Sequence, residues 1–155
     1  MVDDIINEIL SYEEFVEDDH NALERALKSM RMNYQTSGVN ETLNQQSFSE
    51  TSALYLYRKY EKVAKSFNRE KDRHYIHLDL TLQEQGMDKR GDKSRRESQV
   101  TSSESYVSVL EQSARMDCLA GLLKDLYYRV CRRGDYLENI SNNYRKELNA
   151  DLRSM

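Results

Sequence analysis

The sequence contains no proline and only five glycines in 155 residues. Proline and glycine are the residues that interrupt helices most strongly, so a chain with this composition is free to form long helices. Hydrophobic residues make up 38% of the chain and charged residues 32%, which allows one modest core beneath a largely polar surface. We therefore expect a single domain with an all-α fold, built as a helical bundle.

Features of exported and membrane proteins are also missing. No run of 18 apolar residues is present, so we expect no membrane-spanning segment. The acidic N-terminus lacks the basic region of a signal peptide. The two cysteines, Cys118 and Cys131, are 13 residues apart, which on one helix is about 20 Å and too far for a disulfide. We interpret them as small core residues of a cytoplasmic protein.

Motifs of catalysis and metal binding are missing as well. The chain has no Gly-x-Ser-x-Gly nucleophile elbow and no glycine-rich loop to cradle a phosphate, so we expect neither an enzyme nor a cofactor. Glu70, His74 and His77 are spaced like half of a metal site. His74 falls on the apolar face of its predicted helix, however, and no second cluster completes the ligand set. We therefore expect a core histidine and no metal.

Charge is distributed unevenly along the chain. Residues 1–50 carry 11 acidic and 3 basic residues, a net charge of −8, whereas residues 51–155 carry 16 acidic and 20 basic residues, a net charge of +4. Residues 1–35 are expected to form an acidic N-terminal helical pair, followed by a polar linker at 36–46 and a helical body at 47–155. The acidic segment either binds a basic partner or shields the positive charge of the body.

The most informative pattern lies in the basic helix predicted at 47–82, which opens with a capping box from Ser47 to Glu50. Five cations recur on one face of this helix, about one per turn, and are termed the basic row: Arg58, Lys62, Lys65, Arg69 and Arg73. Apolar residues occupy the opposite face, so the row should face solvent, where it can neutralise successive phosphates of a nucleic acid. Tyr55 borders the row and is the best candidate for stacking on an unpaired base. The alternative is that the cations only solubilise an exposed helix.

The second half of the chain contains one long helix between less regular segments. Residues 76–83 alternate like a strand, and the pattern leaves helix and strand both open there. Residues 84–100 are expected to form a basic loop, and residues 101–133 a long helix with a coiled-coil seam. We interpret the seam as a homo-oligomer interface formed by Tyr106, Val109, Met116, Ala120, Leu123, Tyr127 and Val130.

The end of this long helix is expected at Gly134, acting as its C-cap. A short helix at 135–150 should follow. Its apolar side chains are spaced to be buried: Leu137, Ile140, Tyr144 and Leu148.

The order of these parts resembles the UvsY-type recombination mediators of tailed phages over about residues 50–145. The resemblance rests on the basic helix, on the segment LQEQGMDKRGDKSRR at 82–96, and on a long helix ending in YYRVCRRGDYLENISN at 127–142. Members of that family are small helical proteins that form rings, bind single-stranded DNA and load a recombinase in place of a single-strand-binding protein. The resemblance implies that the basic row contacts DNA, and places the chain in the host cytoplasm. It adds a second set of DNA-binding residues, namely Lys89, Arg90, Lys93, Arg95 and Arg96.

Two departures from that family are visible, an acidic first 45 residues and acids at Glu70, Asp72 and Asp79. Two other functions also fit the patterns. A helical adaptor or assembly protein would bind only proteins, and a packaging subunit would bind duplex DNA. The leading hypothesis is a homo-oligomeric accessory factor that binds single-stranded DNA and acts with a recombinase and a single-strand-binding protein.

Overall fold

The computed structural model describes the backbone of residues 2–154 and their side chains, apart from those of residues 2, 36 and 150–154. Over these residues the chain consists of helices and their connections with no strand, which confirms the predicted all-α fold. None of the described helices is both long enough and apolar enough to cross a membrane. The helices are α1 (Val2–Leu10), α2 (His20–Arg31), α3 (Tyr34–Ser37), α4 (Val39–Glu84), α5 (Lys93–Ser102) and α6 (Glu104–Ser154).

The chain divides into two compact units, and the first comprises Met1–Lys59 and Gly121–Met155. It contains α1, α2, α3, the first part of α4 and the second part of α6. Each of the longer helices buries apolar side chains at helical spacing, as an amphipathic helix does against a core. These buried side chains include Ile6, Ile9, Leu23, Leu27, Leu56, Leu126, Val130 and Leu137.

The start of α4 differs from the prediction, because most of the expected linker at 36–46 belongs to this helix. The buried stripe of α4 is polar here, so the apolar period does not show it. Thr42 and Gln46 are buried one turn apart, and Gln46 Nε2 donates to the carbonyl oxygen of Val130 at 2.5 Å. Ser47 consequently lies inside a helix and caps none.

The predicted break in the last helix is also absent, because α6 continues through Gly134. A Cβ atom at this position would collide with Glu50 Oε1 and would lie 3.1 Å from Gln46 Nε2. Glycine here allows α4 to approach α6 closely, rather than ending a helix. Leu137 is buried as expected and Ile140 is half-buried, whereas Tyr144 and Leu148 are exposed.

Arg133 caps the C-terminal end of α2 from a neighbouring helix. Its guanidinium lies 5.7 Å from the ring centroid of Tyr34 and 5.8 Å from that of Tyr136. The same group donates to the carbonyl oxygen of Met32 at 3.1 Å. Met32 is the C-cap residue of α2, so the cation meets the negative end of that helix.

The second unit, Tyr60–Ala120, contains the rest of α4, α5 and the first part of α6. Region 76–83, which the sequence left open, is helical and belongs to α4. The end of α4 at Glu84 is followed by a glycine in the left-handed region, Gly86 with φ +99°. The N–H of Met87 bonds to the carbonyl of Leu82 at 3.1 Å and that of Gly86 to Gln83 at 3.0 Å, which is the Schellman arrangement of a helix end.

Part of the predicted basic loop at 84–100 forms α5 instead of an irregular segment. Its apolar signal is a single buried residue, Val100. The helix is fixed mainly by Arg96, whose Nε donates to Asp79 Oδ1 at 2.8 Å and whose guanidinium donates to the carbonyl of Met87 at 2.6 Å. The long helix then begins at Glu104, since Ser103 Oγ accepts the N–H of Tyr106 at 3.3 Å.

Candidate nucleic-acid interface

The exposed face of α4 carries the residues of the basic row. Its five cations, Arg58, Lys62, Lys65, Arg69 and Arg73, are all exposed. On the opposite face Leu56, Tyr60 and Ala64 are buried, so the row points away from the core as the helical period predicted. Arg58 lies in the first unit. The other four lie in the second, where they extend along about 16 Å of helix at 1.5 Å per residue.

Few acidic side chains interrupt the row. Between residues 42 and 83, the acidic side chains in exposed positions are Glu70 and Asp72. Glu61 is half-buried, and its Oε1 lies 3.0 Å from Lys65 Nζ, one turn away. An exposed ion pair of this kind is worth about 0–1 kcal/mol. Lys65 can therefore exchange this carboxylate for a phosphate at little cost.

Two aromatic side chains extend the exposed face of α4 towards its N-terminus, within the first unit. Tyr55 is 52% exposed and Phe48 is 67% exposed. They are seven residues apart on one face, which corresponds to about 10 Å along the helix. The sequence pattern predicted an exposed ring at Tyr55 but not at Phe48, because Phe48 lies within the apparent capping box. The seven-residue spacing from Tyr55 was the signal that could have found it.

Lys59, another cation of α4, is bound to a buried carboxylate of the fold. Its Nζ lies 2.7 Å from Oδ2 of the buried Asp19, and the hydrogen bond to Asp19 raises the pKa of Lys59. The same Nζ lies 6.0 Å from the centroid of the Tyr55 ring. Lys59 therefore forms an ion pair with Asp19, and this ion pair holds its ammonium group near the ring of Tyr55.

The residues of the predicted basic loop have different environments. Lys89, Arg90 and Arg95 are exposed, as is Lys93, whose Nζ lies 3.8 Å from Glu97 Oε1. Only 11% of the Arg96 side chain is exposed. The hydrogen bond from Arg96 lowers the pKa of Asp79, so the pair stays ionised. Arg96 holds α5 in place, which corrects its assignment to the DNA-binding set.

The seam of α6 packs within the chain. Its buried members are Met116, Ala120, Leu123 and Val130. Tyr106, Val109 and Tyr127 are half-buried. The ring centroids of Tyr106 and Tyr75 are 5.6 Å apart, and those of Tyr127 and Tyr57 are 6.1 Å apart. Because this chain's own residues cover the buried members, they are not free to meet a second copy. Self-association stays a prediction, with no surface assigned to it.

The histidines considered as metal ligands have other surroundings. His74 Nε2 lies 3.2 Å from Ser105 Oγ, whereas Glu70 and His77 are exposed. In the described part of the chain, no group of three His, Cys, Asp or Glu side chains is placed to hold a metal ion.

A cleft of about 370 Å³ lies in the first unit, between the start of α4 and the end of α6. It is lined by Val39, Asn40, Ser141, Tyr144, Arg145, Leu148 and Asn149. Its ionisable side chains are Tyr144 and Arg145.

No family model, curated protein or solved structure matches this chain.

Proposed function

We propose that this chain is a non-enzymatic accessory protein that binds single-stranded nucleic acid through the exposed face of α4. The observation that carries the proposal is that all five cations of the basic row are exposed, at about one per turn. Only two exposed carboxylates lie between residues 42 and 83. Each cation that meets a phosphate releases a condensed counterion, and this release is the main sequence-independent source of affinity.

The chemistry of the row favours binding without base recognition. Lysine and arginine side chains along one helix face contact phosphates, and such contacts position a strand without reading its sequence. The exposed Tyr55 ring favours unpaired bases, whose faces are free to stack on an aromatic side chain. The resemblance to UvsY-type mediators supplies the cellular part of the proposal. In that part, the chain acts in the host cytoplasm during recombination or replication, loading a recombinase where a single-strand-binding protein is displaced.

Fluorescence anisotropy of a labelled oligo-dT, with light scattering on the same sample, tests the proposal. Five phosphate contacts on a single strand predict a salt slope of about −3.5 in log–log form. We therefore expect affinity to fall by about 100-fold between 50 and 200 mM salt. No binding of oligo-dT at 50 mM salt would contradict the proposal. Light scattering reports separately whether the protein self-associates.

A helical adaptor that binds only proteins is the second candidate, and one observation favours it. Ile76 and Leu80 are exposed on the same face of α4 as Arg73, at helical spacing. Phosphate binding gives no reason for these apolar side chains, whereas an acidic amphipathic helix would contact both the cations and the apolar pair. Salt weakens the ionic part of such a contact but has little effect on its apolar part. Binding of an acidic amphipathic peptide that persists at 500 mM salt, with no binding of oligo-dT at 50 mM salt, would support this alternative.

A further inference from the structure

The exposed face of α4 carries aromatic side chains on the N-terminal side of its cations. From residue 44 to residue 58, within the first unit, the exposed positions form one series: Asn44, Ser47, Phe48, Thr51, Tyr55 and Arg58. None of these side chains is a carboxylate, and two are aromatic. A negatively charged strand that lies along this segment therefore meets no repulsive charge at its exposed positions.

Phe48 contributes little to the fold. Its side chain is 67% exposed, while the inner face of the same segment is filled by Gln46, Ser49 and Ala53. A single exposed apolar residue is ordinary on a protein surface. Here, however, a second exposed ring follows at the same face of the helix. The exposed residue between them, Thr51, is short, and its hydroxyl donates to the carbonyl oxygen of Ser47 at 2.9 Å.

The ring of Tyr55 has a fixed neighbour. Lys59 lies 6.0 Å from the ring centroid and is itself held by the buried Asp19 at 2.7 Å. A cation at this distance from a ring face is attracted to the ring. Because Lys59 is anchored, the contact restricts Tyr55, and less rotamer entropy is lost when a ligand orders the ring.

We infer that Phe48 and Tyr55 form a stacking platform for two unpaired bases, with Arg58 as the adjoining phosphate contact. This inference rests on the proposed function and specifies its ligand as a single strand with accessible base faces. Aromatic side chains stack on any base, so the platform adds affinity without sequence preference. In a duplex the base faces are already stacked on one another, so the platform gains nothing there, and only phosphate contacts remain.

The absence of tryptophan from the chain allows a direct test, because a single introduced tryptophan reports base stacking through quenching of its fluorescence. The variants are Phe48→Trp and Tyr55→Trp in the full-length protein. The matched control is Tyr128→Trp on α6. Tyr128 is 49% exposed, and Lys124 Nζ lies 6.0 Å from its ring centroid, as Lys59 does at Tyr55. All three positions are exposed on helices, and circular dichroism checks that each variant keeps its helical content.

We expect oligo-dT to quench the fluorescence of the Phe48→Trp and Tyr55→Trp variants but not that of Tyr128→Trp, and a duplex of the same length to quench none of them. We also expect Phe48→Ala and Tyr55→Ala each to weaken oligo-dT binding about tenfold, with duplex affinity unchanged. Anisotropy-detected binding of oligo-dT without quenching in the two α4 variants, or with equal quenching in the α6 control, would overturn the platform and leave the proposed function standing. No binding of oligo-dT to the wild-type protein would overturn both.

Discussion

Arg96 and Asp79 form an ion pair that joins α5 to α4, with Arg96 Nε 2.8 Å from Asp79 Oδ1. The preceding residue, Arg95, is exposed, so two adjacent arginines have different roles. From the sequence alone both belonged to a basic loop, because nothing in a run of polar residues shows which cation finds a carboxylate. In the structure Arg95 is exposed to solvent, whereas Arg96 is paired with a carboxylate of α4.

This ion pair predicts how stability changes in acid. Arg96 lowers the pKa of Asp79 from its ordinary value of 3.8. The Asp79 carboxylate is therefore protonated less readily in the folded chain than in the unfolded chain. The pair therefore stabilises the fold above about pH 4, and this contribution is lost as the pH falls through the lowered pKa. We expect the wild type to lose more unfolding free energy than Asp79→Asn between pH 6 and pH 3, measured by urea denaturation. Equal losses in the two proteins would show that the pair contributes nothing.

Two glycines of α6 should respond in opposite ways to alanine. A Cβ at Gly121 meets open space, whereas a Cβ at Gly134 would collide with Glu50 Oε1. Gly121→Ala should raise the unfolding free energy by about 0.5–1 kcal/mol, because alanine favours a helix interior. The unfolding free energy of Gly134→Ala should be about 1–2 kcal/mol lower than that of Gly121→Ala. The reason is that Glu50 must move away from the new Cβ and lose the hydrogen bond that Gln46 Nε2 donates to it at 2.8 Å. Equal stabilisation by both substitutions would exclude close packing at Gly134.

Arg133 and Arg132 provide a similar comparison. Arg133 lies between two tyrosine rings and donates to Met32, whereas Arg132 is exposed. We expect Arg133→Ala to lower the unfolding free energy by about 1–2 kcal/mol, through loss of the cation–π contacts and the hydrogen bond. Arg132→Ala should stay within about 0.5 kcal/mol of the wild type. Chemical denaturation of both variants checks this, and a similar effect at the two positions would contradict the capping role of Arg133.

The two cysteines should react at different rates. Cys118 is exposed, whereas Cys131 is half-buried, and burial raises the pKa of its thiol above the ordinary value of 9.0. Since the thiolate is the reactive form, Cys131 should react slowly with a chromogenic disulfide reagent at pH 8. The time course should show one fast and one slow thiol, and Cys118→Ser should remove the fast phase. Two fast phases in the wild type would mean that Cys131 is not protected.

Much of the fold, and the exposure of the basic row, followed from helical spacing. The cations of the basic row and the buried residues behind them, such as Leu56 and Tyr60, repeat with a strong 3.6-residue period. The sequence therefore predicted both the helix and its exposed face correctly. Tyr55 was found in the same way, by its position beside the row.

The errors occurred where polar or tertiary contacts decide the structure. The first turns of α4 are covered through Thr42 and Gln46, which are buried but carry no hydrophobic signal. Gly134 resembled a helix end because glycine is common there, and only the approach of Glu50 explains its position inside α6. The seam of α6 suggested a second copy, since a sequence does not show whether a partner helix comes from the same chain.

The claim that the basic row binds a phosphate backbone is tested by the salt dependence of two variants with the same net charge. One is the triple variant Arg58→Ala, Lys62→Ala, Lys65→Ala on α4. The control removes three exposed cations of α6, as Arg132→Ala, Arg145→Ala, Lys146→Ala. For the α4 variant we expect weaker oligo-dT binding and a log–log salt slope smaller in magnitude by about 2, because three counterions fewer are released. The control should keep the wild-type slope. Equal slopes in the two triple variants would contradict the assignment of phosphate binding to this face of α4.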